Sequence, residues 1–116
     1  MSQRHEPALD LRAPSARWIT DGVRNALTLV SRRWVLDVLD VLQQGPTRRH
    51  ILRTQLQPLS DRVLTSVLRD LEQHGLVTRT ITAAVPVRVD YELTARGESL
   101  IDQLNDFATW CDRTWT

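Results

Sequence analysis

Residues 59–77 read LSDRVLTSVLRDLEQHGLV. Ser60 has the side chain of a helix N-cap, and Leu64, Val67, Leu68 and Leu71 recur at the three-and-four spacing of one buried helix face. Gly75 then stops the helix, and from Leu76 the pattern changes to period two. The apolar face needs no further explanation. The other face holds Asp61, Arg62, Thr65, Ser66 and Arg69, and it has to meet something.

Outward from this helix, 77–81 (VTRTI) and 87–93 (VRVDYEL) alternate as strands, with TAAVP between them as the loop of a hairpin. Thr94 caps a last helix over 95–114, on which Leu100, Leu104, Phe107 and Cys111 form a stripe widened by Ile101, Ala108 and Trp115. Upstream, a short helix over 49–56 turns Ile51, Leu52 and Leu56 inward before Pro58. Before it, RRWVLDVLDVLQQ (32–44) is a mostly buried helix, capped by Ser31 and closed by Gly45-Pro46. Its polar stripe is Arg33, Asp37, Asp40 and Gln44. Asp21 caps a first helix carrying Val23, Ala26, Leu27 and Val30. Residues 1–20, with Pro7 and Pro14, read as an irregular arm, and 21–116 as one domain.

The fold class is mainly α with a small antiparallel β-hairpin. Two short helices joined by a tight turn and followed by a hairpin make a winged helix-turn-helix, whose second helix enters the DNA major groove. That gives the outer face of the quoted helix a purpose. Small hydroxyls permit close approach to bases, arginine donates twice to guanine, and aspartate accepts from a cytosine amino group. The competing reading is an ordinary solvated helix face.

Composition agrees with a small folded domain: 116 residues, 41% hydrophobic and 25% charged, with no apolar run that spans a bilayer. A cytoplasmic location is expected. Net charge is only +1, so the distribution of charge matters more than its sum. Lysine is absent. Residues 45–62 hold Arg48, Arg49, Arg53 and Arg62 against Asp61 alone, whereas every charged residue of 98–112 is acidic. One cysteine and three scattered histidines give no disulfide and no metal-ligand spacing, so no cofactor and no metal are expected. Cys111, on an apolar stripe, reads as a small buried hydrophobe, and oxidation is not expected to be a switch. Asp37 and Asp40 belong to a solvated stripe with Arg33, and no Ser/His/Asp constellation appears, so an enzyme is not expected.

The segments RRWVLDVLDVLQQGP, LSDRVLTSVLRDLEQHGLVTR and VPVRVDYELTARGESL resemble the HxlR family of bacterial winged-helix transcriptional regulators, relatives of the MarR type. The likeness spans 23–110, with Trp34, Gly45-Pro46, LRDLEQHGLV, DYELTARG and Trp110 as its signatures. It implies a homodimer joined through the first and last helices and reading a palindrome. Ser60, Arg62, Thr65, Ser66 and Arg69 would contact DNA from the recognition helix, Arg88 from the wing, and Arg48 at a phosphate. Three positions depart from the family pattern: Arg49 stands where an aromatic is usual, Val87 replaces a proline, and Asp61 replaces a neutral polar residue. Asp61 either tunes specificity toward cytosine or weakens binding. The cysteine that some relatives carry near the first helix for sensing oxidants is missing.

Val23, Leu27 and Val30 on the first helix and Leu100, Leu104, Phe107 and Cys111 on the last are the expected dimer contacts. Trp18, Trp34 and Trp110 either fill that interface or line a candidate pocket for a small aromatic effector. The expected function is sequence-specific, effector-controlled transcriptional regulation on double-stranded DNA. The alternative is a winged-helix module with weakened DNA binding that takes a small molecule or a partner protein.

Overall fold

A computed structural model describes residues 17–115. The chain runs α1 (Asp21–Ser31), α2 (Val35–Leu42), β1 (Thr47–Arg48), α3 (Arg49–Gln55), α4 (Asp61–Gln73), β2 (Val77–Thr82), β3 (Arg88–Leu93) and α5 (Ala95–Trp115). Of the expected N-terminal arm, residues 1–16 lie outside the described residues, and 17–20 form exposed irregular chain.

The core is built where the apolar patterns place it. Val35, Val38, Leu39 and Leu42 of α2 pack with Leu52 of α3 and with Leu64, Val67, Leu68 and Leu71 of α4, all essentially inaccessible to solvent. Leu76, just before β2, and Val77 and Tyr91 of the sheet close the cluster. Leu36 is the exception on α2. It is 51% exposed, because it falls beside Arg33 and Asp40 on the polar side of a helix only two turns long.

Both expected caps before α2 are displaced. Thr20, not Asp21, caps α1, its Oγ1 accepting from the Val23 amide at 3.1 Å; Asp21 is the first helical residue. Ser31 ends α1 rather than opening α2, its hydroxyl donating to the Thr28 carbonyl. The second helix starts later, at a Trp34 held in the left-handed region (φ 77°) with no side-chain cap. That conformation costs on the order of 1 kcal/mol for a bulky residue. The half-buried indole packs against the core, and the Arg33 guanidinium lies 5.3 Å from its centroid.

The hairpin is part of a three-stranded antiparallel sheet of order β1-β3-β2. Thr47 pairs with Tyr91 and Arg48 with Asp90, which anchors the start of α3 to the sheet. The β2–β3 register runs from Val77↔Leu93 to Thr82↔Arg88. Val87 does not turn inward with Val89, Tyr91 and Leu93: the wing projects beyond the core and leaves Ile81, Val85 and Val87 exposed.

Two glycines fix the junctions around α4. Gly75 (φ 73°) lets the chain leave α4, with the Leu76 amide donating back to the Leu71 carbonyl at 3.0 Å. Gly97, buried in the first turn of α5, sits so close to the Leu76 carbonyl that a Cβ there would collide with backbone. Thr94 completes the joint: its hydroxyl donates to the Gly75 carbonyl at 2.6 Å and accepts from the Gly97 amide at 3.0 Å. Beyond this joint Leu100, Ile101 and Leu104 rest on the core, and α5 then leaves it, with Phe107, Trp110 and Trp115 exposed. Cys111 is therefore half-buried rather than enclosed, since no core lies beneath that part of the helix. Among the described residues no helix is long and apolar enough to cross a membrane.

Candidate nucleic-acid interface

α4 presents one exposed face. Ser60 caps it, its hydroxyl accepting from the Val63 amide at 3.1 Å. Arg62 and Arg69 project from this face and make no ion pair among the described residues. Together with Arg32, Thr65 and Ser66 they border an open groove of about 590 Å³ along the outside of the helix.

The two hydroxyls between them are already engaged from within the protein. Thr65 donates to the Asp61 carbonyl at 2.9 Å and accepts from Arg49 Nη2 at 2.7 Å. Ser66 accepts from Arg32 Nη2 at 2.7 Å, while Arg32 Nη1 pairs with Asp70 at 3.0 Å. Arg32 follows the last turn of α1, so this contact ties the end of α1 to the middle of α4.

Asp61 is likewise held. Its Oδ1 lies 2.7 Å from Arg49 Nη2 and 3.4 Å from Arg53 Nη1, both reaching over from α3. The hydrogen bond and charge of Arg49, with Arg53 adding to them, hold the Asp61 carboxyl below the ordinary aspartate value. Partial burial lowers the Arg49 pKa, but the Asp61 carboxylate and the Tyr91 phenol outweigh it and leave the guanidinium above its usual value. Both groups are charged at neutral pH.

Arg48, the N-cap residue of α3, is exposed. It lines a hollow of about 670 Å³ between α3 and the wing, with Arg49, Arg53, Asp61 and Arg88. Arg88 spans to Asp90 at 2.8 Å within its own strand. Arg62 and Arg69 thus line a groove along the outside of α4, and Arg48 and Arg88 a hollow between α3 and the wing, where the exposed Asp61 carboxylate is paired with Arg49 and Arg53 of α3. The residues that sequence reading missed are Arg32 and the roles of Arg49 and Arg53. Arg49 and Asp61 are 12 positions apart on different helices, and Arg32 and Ser66 are 34 apart. No periodicity links either pair.

On α1 and α5, Val23, Val30, Leu100, Leu104 and Cys111 are half-buried, and Leu27 and Phe107 are exposed. Trp110 stacks on Phe107 (centroids 5.8 Å apart) and meets Trp115 edge-on at 5.1 Å. Trp18, Trp34 and Trp110 are not joined by ring contacts among the described residues. Trp110 lies ten positions beyond Leu100, roughly 15 Å along the helix. The apolar cleft between α1 and α5, about 380 Å³, is lined instead by aliphatic groups of Ala26, Leu29, Val30, Leu76 and Leu100.

Comparison with known proteins identifies the family and the fold. The family described as HxlR-like helix-turn-helix matches residues 29–116. The HTH-type transcriptional regulator YvaP of Bacillus subtilis is 35% identical over 85 residues, covering 73% of this chain and 79% of that protein. A MarR-family transcriptional regulator of Enterococcus faecalis V583 superposes with a TM-score of 0.77 at 35% identity, covering 86% and 94% of the two chains. The reduced form of the transcriptional regulator YodB of B. subtilis gives 0.77 at 28% identity over 82% and 93%. YodB has also been solved with a quinone bound (0.74, 26% identity, 82% and 99%). With its helix-turn-helix, three-stranded wing and matched length, this chain belongs to the HxlR-like helix-turn-helix family and is a transcriptional regulator of the helix-turn-helix type.

Proposed function

We propose that the protein binds duplex DNA sequence-specifically as a homodimer, with α4 of each copy in a major groove and the wing against the flanking backbone. The observation that carries this reading is the outer face of α4. Among the described residues Arg62 and Arg69 stand there without internal partners, on either side of two small hydroxyl side chains. Guanidinium forks in that setting suit guanine edges, and Arg48 at the N-terminus of α3 suits a phosphate. The protein acts in the cytoplasm, where that DNA is.

Dimerisation is supported by apolar surface that one chain leaves uncovered. Leu27, Phe107, Trp110 and Trp115 are 46–71% exposed on the terminal helices. A two-fold arrangement through α1 and α5 would bury them with Val23, Val30, Leu100, Leu104 and Cys111. It would set the two α4 helices about 34 Å apart, one DNA turn, which calls for a palindromic operator.

A flat aromatic effector fits the same region, and a related regulator has been solved with a quinone. The cleft between α1 and α5 is the better seat in one chain, and Trp18, Trp34 and Trp110 would contribute only if the partner copy brings them together. Arg32, which joins the end of α1 to Ser66 and Asp70, gives such a ligand a route to the recognition helix. The alternative of a module with weakened DNA binding rests on Asp61 and on the net charge of only +1; of these, the Asp61 charge is paired with Arg49 and Arg53, and the salt series below decides between the two readings.

Mobility shift on the DNA adjoining the protein's own gene, across a salt series, tests the DNA reading. Binding to a palindromic segment that weakens steeply with salt is expected; equal or absent binding to all duplexes rejects it. Sedimentation is expected to give a dimer, and a folded monomer at micromolar concentration would exclude one. Aromatic compounds that quench tryptophan emission should also release DNA, and a panel doing neither removes the effector.

A further inference from the structure

We propose that Asp61 is an internal counter-ion that keeps Arg49 and Arg53 off the DNA backbone, and so sets specificity by suppressing non-sequence-dependent binding. This inference rests on the DNA-binding reading and adds a role to a residue that would otherwise be assigned to base recognition.

The geometry carries it. The Asp61 side chain is 60% exposed on the first turn of α4, at the end of the helix that meets the groove. A carboxylate there would repel phosphate if it stood alone. It does not stand alone: Arg49 approaches to 2.7 Å and Arg53 to 3.4 Å. Both arginines line the hollow between α3 and the wing, where a DNA backbone would pass, and Arg53 is itself 46% exposed. Each would otherwise be a ready phosphate contact. Phosphate contacts add affinity without sequence information. Drawing two of them onto Asp61 lowers affinity for all DNA, and leaves Arg62 and Arg69 on the outer face of α4 to read bases. Arg49 is held the more firmly, since it also donates to Thr65 Oγ1 at 2.7 Å and to the Asp61 carbonyl at 3.4 Å. Arg53 has only the carboxylate among the described residues, so it is the arginine that Asp61 chiefly restrains.

The two candidate roles for Asp61 make opposite forecasts. A base reader, once removed, relaxes preference at one base pair and leaves the salt dependence alone. A counter-ion, once removed, frees cations for phosphates. The test is a salt series on the operator and on a random duplex, with wild type, Asp61→Asn, Arg53→Gln and the double variant. Asp61→Asn should steepen the slope of log K against log salt by about 0.9 for each phosphate gained, one or two in number. It should raise affinity for the random duplex and shrink the ratio of operator to random binding. Arg53→Gln alone should leave the slope unchanged, because Arg53 does not reach phosphate while Asp61 holds it. In the Asp61→Asn background the same change should remove about 0.9 of the gained slope. A wild type that binds no duplex overturns the DNA-binding reading and this inference with it. Binding by wild type with no change of slope in Asp61→Asn, a preference lost at a single cytosine, or a shallower slope in Arg53→Gln alone overturns the counter-ion role while DNA binding stands.

Discussion

Arg49 and Asp61 meet at 2.7 Å across the turn between α3 and α4. The resemblance marks both as departures from the family pattern, and in the structure the two contact each other. A guanidinium at the start of α3 supplies what a carboxylate at the start of the recognition helix requires. Through Thr65 the same arginine also grips the second turn of α4. The angle between the two helices is therefore set by a polar clasp as well as by the leucine core.

The clasp has a defined pH behaviour. Arg49 lowers the Asp61 pKa in the folded protein. The pair's contribution is thus fully present above the ordinary aspartate value of about 3.9 and is lost as pH falls through the lower folded value. Between pH 6 and 8 it should be constant. Carboxyl titration followed by NMR should place the Asp61 midpoint below that of free aspartate and move it upward in Arg49→Met. A midpoint unaffected by that change would mean the clasp does not form in solution.

Gly97→Ala should be among the most destabilising single changes in the chain, on the order of 3 kcal/mol. The added Cβ meets the Leu76 carbonyl, which cannot rotate aside because the Thr94 amide donates to it at 3.0 Å. Urea unfolding would reveal this, and a midpoint equal to wild type would show that α5 can lift from the sheet at little cost.

Cys111→Ser should leave DNA binding unchanged with or without peroxide. Cys111 is the only cysteine among the 116 residues, so no disulfide forms within the chain. It is half-buried on α5, about two turns past Leu104, the last residue of the helix that rests on the core. A peroxide-induced, thiol-reversible loss of DNA binding that disappears in Cys111→Ser would make the thiol a switch acting between copies.

Much of this architecture is legible in the sequence, because burial imposes periodicity. The four buried positions of α4, the Ser60 cap, the Gly75 stop and the alternation into β2 all follow from local rules. What escaped local rules was held by distant partners. Trp34 adopts its left-handed backbone at a bend between α1 and α2, which no capping rule identifies when Ser31 offers itself nearby. β1 is two residues long, too short for any pattern, and exists only because β3 pairs with it. At the interface, the residue types on α4 were readable, but not that Thr65, Ser66 and Asp61 are engaged from α3 and from the end of α1. The placement of Trp110 over Phe107, rather than with Trp18 and Trp34, depends on how far α5 runs beyond the core.

The central claim is that Arg62 on the outer face of α4 reads DNA. The most direct measurement is binding of wild type and Arg62→Ala to the selected operator and to a random duplex at one salt concentration. Arg62→Ala should lose roughly 1–3 kcal/mol on the operator, relax preference at a single base pair, and lose much less on random DNA. If wild type and Arg62→Ala bind both duplexes alike, Arg62 is not a reader, and the outer face of α4 is not the surface that recognises sequence.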